Sequence, residues 1–88
     1  MTNQTVEVIN KIGIHARPAS MLVTTANHFE SNITIKNGER TAVAKSMINL
    51  LALRAKMGDK ITIQAEGSDE KEAVKTLVEL IQSKFGEE

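Results

Sequence analysis

Apolar and polar positions recur along this chain with two periods, and the switches between them mark out its elements. Thr5-Val6-Glu7-Val8-Ile9 alternates residue by residue, as a half-buried strand does. Asn10-Lys11-Ile12-Gly13 breaks that pattern. Beyond it, Ala19, Leu22, Val23, Ala26 and Phe29 fall at helical spacing on one face. Proline is tolerated in a helix only near the first turn, where its missing N–H costs nothing, so Pro18 puts the helix start at Ala16 or Arg17, directly after His15. Asn32-Ile33-Thr34-Ile35-Lys36 alternates again. Asn37-Gly38 signals a tight turn, and Arg40-Thr41-Ala42-Val43 completes a hairpin. Ser46 precedes a short apolar segment, Met47 to Leu53, that reads as a second helix. Gly58-Asp59 is a turn, after which Ile61, Ile63 and Ala65 alternate with Thr62, Gln64 and Glu66 as a fourth strand. Asp69 is placed to cap a third helix, with Glu72 set for a capping box. Ala73, Val74, Leu77, Val78, Ile81 and Phe85 form its apolar face, and Gly86 is a natural stop.

The resulting order, βαββαβα, predicts an α+β fold in which helices cover one face of a sheet and leave the other open. The 88 residues suffice for a single domain spanning 1–88. With 41% hydrophobic residues but only two phenylalanines and no tryptophan or tyrosine, the core has to be aliphatic. The absence of cysteine excludes disulfides and thiol catalysis and fits a reducing compartment. No stretch approaches the roughly 20 apolar residues of a membrane span, and the N-terminal residues lack the pattern of a signal peptide. The expectation is therefore a cytoplasmic protein with no membrane insertion. Charge balances overall but not along the chain. Up to Gly58 there are seven basic residues and three acidic ones, and from Asp59 onward four basic and eight acidic. That polarity can steer an acidic partner towards the first part, but it is too weak for nucleic acid, which would also want stacking aromatics. Two histidines without clustered carboxylates or cysteines make no metal site, and no cofactor is expected.

Chemistry concentrates at Gly13-Ile14-His15-Ala16-Arg17-Pro18-Ala19. The first N–H groups of a helix have no carbonyl behind them and, with the helix dipole, form an anion site. His15 places an imidazole immediately before that site. The backbone at Ala16 and Arg17 supplies the amides, and the Arg17 side chain can neutralise charge on a transferring phosphoryl group. Spacing alone favours the plainer reading, a solvated surface histidine, over a functional one.

This segment resembles the signature of the HPr family, the histidine-containing phosphocarriers of the bacterial phosphoenolpyruvate-dependent phosphotransferase system. The similarity continues through Ala26-Asn27-His28-Phe29, Ala44-Lys45-Ser46, Gly58-Asp59-Lys60-Ile61-Thr62-Ile63 and Ala65-Glu66-Gly67. The resemblance implies an open-faced β-sandwich, a four-stranded antiparallel sheet with three helices on one face. It implies that His15 accepts a phosphoryl group from enzyme I and passes it to EIIA components, with Arg17 stabilising charge. A monomer is expected.

Ser46 reads from the sequence as a helix N-cap. The resemblance adds a regulatory role, as the position that HPr kinase/phosphorylase modifies in many bacteria, with a transcriptional regulator as a further partner. Of the apolar residues in this short helix, Met47, Leu50 and Leu53 share one spacing and suit a core. Ile48 and Leu51 fall off that line and can form an apolar docking patch near His15, extended by Met21 and the flank of Met47. Cover by neighbouring loops is the alternative. The chain has Ser46-Met47-Ile48-Asn49 where Gram-positive HPr proteins typically have Ser-Ile-Met-Gly, and Arg54 where glycine is frequent. Leu50-Leu51-Ala52-Leu53 is similar to NPr, the paralogue of a nitrogen-related branch. An NPr-like carrier and a Crh-like regulatory protein are thus the alternative functions. Crh lacks the active histidine, which His15 supplies here.

Overall fold

Alternation and helical periodicity translate directly into a computed structural model that describes residues 1–86. The chain runs through β1 (Thr2–Glu7), α1 (Ala16–Ala26), β2 (Asn32–Asn37), β3 (Arg40–Val43), α2 (Met47–Ala52), β4 (Lys60–Glu66) and α3 (Glu70–Gln82). The four strands form one antiparallel sheet in the order β1-β4-β2-β3. Register places Val6 opposite Ile61, Ile35 opposite Ile63 and Ala42 opposite Ile35, so these apolar side chains share one face. They pack under the helices with Leu22, Leu50, Leu77 and Ile81 in a core that is aliphatic but for the buried Phe85 and the partly buried Phe29 packed against it. The other face carries the row Thr5, Thr62, Lys36 and Thr41, open and polar. The Thr5 and Thr62 hydroxyls share a 2.9 Å hydrogen bond across that face.

Element boundaries differ from the sequence reading in ways that have local causes. β1 begins at Thr2, because the N-terminal residues pair with β4 down to Thr2 opposite Ala65. Past its end the inward alternation continues through Val8 to Asn10, both fully buried. The two-residue loop of the hairpin is Gly38–Glu39, closed by the Asn37–Arg40 pair, so glycine takes the first central position with φ +64°. α3 stops at Gln82 rather than at Gly86. Lys84, Phe85 and Gly86 then turn left-handed, with φ of 59°, 55° and 76°, and this turn, not a further helical turn, drives Phe85 into the core.

The expected capping box of α3 is absent. Asp69 is the N-cap residue but makes no side-chain cap. Its carboxylate instead accepts hydrogen bonds from the Glu30 N–H (2.9 Å), the Ser31 N–H (3.0 Å) and the Ser31 hydroxyl, clamping the loop between α1 and β2. These bonds, the Ser31 hydroxyl first, hold the Asp69 carboxyl below its ordinary value. Glu70, not Glu72, closes the helix start, accepting from the Gly67 N–H at 3.2 Å. Glu70 also accepts from the Thr2 hydroxyl at 2.6 Å and pairs with the N-terminal ammonium at 3.1 Å. The Thr2 hydroxyl, the Gly67 amide and the ammonium lower its pKa to about 2.

Candidate functional site

His15 is the N-cap residue of α1, in extended conformation (φ −98°, ψ −164°) and half-buried. Its carbonyl accepts the Ala19 N–H at 2.9 Å, which closes the first helical turn. Pro18, in that turn, has no N–H to satisfy. Ala16 and Arg17 therefore carry the first-turn amides with no carbonyl behind them in the helix, and both residues are exposed. An imidazole, two helix-terminal N–H groups and a guanidinium on the residue second in the helix are all carried by one short segment. The helix dipole adds its positive end at the same place. Such an arrangement can hold the oxygens of a phosphoryl group on or near the imidazole ring.

The loop before His15 is rigidly supported. Gly13 adopts φ +81°, and a Cβ there would sit 2.5 Å from the Ala55 carbonyl oxygen and 2.7 Å from the Lys56 Cα. Only glycine lets the backbone approach that closely. The Ile14 N–H donates to the same Ala55 carbonyl at 2.9 Å. Buried Asn10 donates from its side-chain amide to the Gly13 carbonyl at 2.7 Å, and its own carbonyl accepts the Gly13 N–H at 3.2 Å. His15 is thus positioned by the segment after α2, about 40 residues further along the chain. The sequence reading found Gly13 but missed Asn10 and Ala55. For Asn10 a signal exists: it continues the inward register of Val6 and Val8, where a polar side chain needs a partner.

Ser46 caps α2 as its sequence position suggested, its hydroxyl accepting the Asn49 N–H at 3.3 Å. Ser46 is half-buried at the helix N-terminus, and Asn49 in turn accepts the Val43 N–H at 3.2 Å. α1 and α2 pack against each other. On this side of the molecule Ile48 is 79% exposed and Leu51 41%, while Met21 and Met47 pack partly into the core. The sequence reading overlooked Ile12, which is 69% exposed in the loop leading to His15. His28 lies just past α1 in a turn, exposed and on a different stretch from His15. Among the described residues no group of His, Cys, Asp or Glu is arranged to hold a metal ion, and no helix is long and apolar enough to cross a membrane.

Residues 2–83 match the family model described as the PTS HPr component phosphorylation site. The phosphocarrier protein HPr of Neisseria meningitidis serogroup A is 37% identical over 87 residues, covering 99% of this chain and 98% of that protein. The phosphocarrier protein NPr of Proteus mirabilis is 42% identical over 84 residues, covering 94% and 93%. The crystal structure of HPr-C-His from Thermoanaerobacter tengcongensis superposes with a TM-score of 0.96 at 45% identity, covering 100% of this chain and 99% of that one. A family match across nearly the whole chain, relatives of equal length and the same open-faced fold agree: this chain belongs to the HPr family of phosphotransferase-system phosphocarriers.

Proposed function

We propose that His15 is the phosphoryl acceptor of this phosphocarrier, charged by enzyme I and discharged to EIIA domains. The observation that carries the reading is the placement of the imidazole at the N-cap of α1, ahead of the Ala16 and Arg17 amides. A ring nitrogen attacks the phosphorus of the donor, forming an N–P bond as the donor's bond to phosphorus breaks. The two amides and the Arg17 guanidinium receive the phosphoryl oxygens, so charge that develops in transfer meets donors already in place. The reverse step hands the group to an acceptor and regenerates the free ring. Incubation with enzyme I, magnesium and phosphoenolpyruvate should add one acid-labile phosphoryl group, visible as a mass gain. His15→Ala should abolish it, and a variant that labels as well as wild type would remove His15 from the relay.

Exposed Ile48 and Leu51, with the partly covered Met21 and Met47, form the docking surface we assign to both partners. Ser46 is in this reading also a regulatory site. Phosphate on its hydroxyl would sit at the N-terminus of α2, where the fold tolerates negative charge, and would act by repelling acidic partners that dock nearby. HPr kinase and ATP should then give an acid-stable phosphate that Ser46→Ala lacks; the absence of any such label would leave Ser46 as a cap alone. The protein works as a cytoplasmic monomer. A nitrogen-branch carrier is the second reading, since relatives named NPr as well as HPr match the chain at similar identity.

A further inference from the structure

Away from His15, the hairpin tip of β2–β3 and the turn between α2 and β4 flank an open cleft of about 700 Å³. Its lining is Asn37, Gly38, Glu39, Arg40, Arg54, Lys56 and Asp59, with no aromatic or aliphatic side chain among them. The two walls are tied together at the floor. The Asn37 side-chain amide donates to the Leu53 carbonyl at 3.0 Å and to the Asp59 carboxylate at 3.2 Å, and that carboxylate also accepts the Lys56 N–H at 3.1 Å. Asp59 is therefore committed to holding the turn. Arg40, Arg54 and Lys56 are not committed in this way. All three are exposed, and among the described residues their side chains make no ion pair or hydrogen bond, although two carboxylates share the cleft. Against the carboxylates of Glu39 and Asp59, the second of them hydrogen-bonded into the turn, these three cations leave the cleft with a net positive charge.

We propose that this cleft binds a small phosphorylated sugar-like metabolite, its phosphate held by Arg40, Arg54 and Lys56. The volume falls in the range of small-molecule sites, and is larger than a lone phosphate requires. The planar guanidinium groups suit phosphate oxygens. Glu39 and the Asn37 carbonyl can accept from ligand hydroxyls. The lining offers no aromatic ring for a base to stack on, which disfavours a nucleotide. The site stands apart from the relay assigned to His15, so its failure and the failure of that reading are separable.

Titration of the protein labelled with nitrogen-15 tests this, with glucose 6-phosphate as the probe, and glucose and inorganic phosphate as its separated halves. The proposal expects saturable amide shifts at Gly38 to Arg40 and Arg54 to Asp59 with glucose 6-phosphate, none with glucose, and weaker binding of inorganic phosphate. The Arg40→Gln/Arg54→Gly double variant should weaken binding at least about tenfold, on the order of 1.4 kcal/mol. Glycine suits position 54 because Arg54 has φ +53°, so the variant keeps its backbone and its fold. Shifts confined to Ala16 and Arg17, shifts unchanged in the double variant, or inorganic phosphate binding as tightly as glucose 6-phosphate would each overturn it.

Discussion

Gly13 carries more of the site than its size suggests. Its backbone lies against Ala55 and Lys56 at a distance no side chain permits, and it does so at a positive φ. Gly13→Ala therefore meets two costs together, a left-handed backbone and a clash with main-chain atoms that cannot swing aside. We expect a loss of about 3 kcal/mol in urea denaturation, and slower labelling by phosphoenolpyruvate and enzyme I in whatever fraction remains folded. The second effect is the informative one, because it tests whether the loop's seat on Ala55 sets the position of His15. Of this arrangement the sequence shows the glycine, the histidine, the arginine and the proline, all within one segment. It does not show Ala55, whose part is played by a backbone carbonyl and leaves no mark in residue type. Arg54 is a related case: its backbone is left-handed, with φ +53°, which an arginine in the sequence does not announce.

The short helix α2 depends on its ends. With six residues it gains little from its own hydrogen bonds, and one buried leucine, Leu50, anchors it. Its cap therefore matters in proportion. Ser46→Ala should cost about 1 kcal/mol in thermal or urea unfolding, and Ser46→Asp should recover most of that, since aspartate also caps. The same comparison separates the structural part of Ser46 from its proposed regulatory part, because aspartate restores the cap while adding charge. Helices were legible wherever one face had to be buried, and α1 and α3 follow their apolar spacing closely. The start of α3 was not legible in full. Asp69 and Glu72 have the right types and spacing for mutual capping, but Asp69 finds three donors at Glu30 and Ser31, 39 and 38 residues earlier. A distant partner outbid the local one, and local pattern carries no information about distant partners.

At the scale of the whole molecule, the N-terminus of α3 joins three parts of the chain. Asp69 holds the loop between α1 and β2, and Glu70 holds Thr2 and the start of β1. Both carboxyls are more acidic in the folded protein than their ordinary values of 3.8 and 4.5, Glu70 at about 2. A depressed carboxyl contributes stability that is present above its unfolded value and lost as pH falls through its folded one. Stability should accordingly hold from neutral pH to about 4.5 and then decline towards pH 2. Urea unfolding at pH 7 and pH 3 checks this, and Glu70→Gln should shrink the difference between the two. Loss of stability that is as steep in Glu70→Gln/Asp69→Asn as in wild type would assign the acid response to other groups. Charge asymmetry was visible in the sequence as a basic first part and an acidic second. The cleft of Arg40, Arg54 and Lys56 was not, because it forms only when the hairpin and the turn before β4 are brought together.

The strand order β1-β4-β2-β3 also bears on how the chain is made. As it leaves the ribosome, β1 appears before the other strands, yet its sheet neighbour among the described residues, β4, ends at Glu66. Until then only the β2–β3 hairpin can pair, and an isolated hairpin is marginal in water. The nascent chain must therefore keep β1 waiting, unpaired, until β4 has followed it out. Folding then proceeds late and nearly all at once, through pairings between distant segments that close slowly.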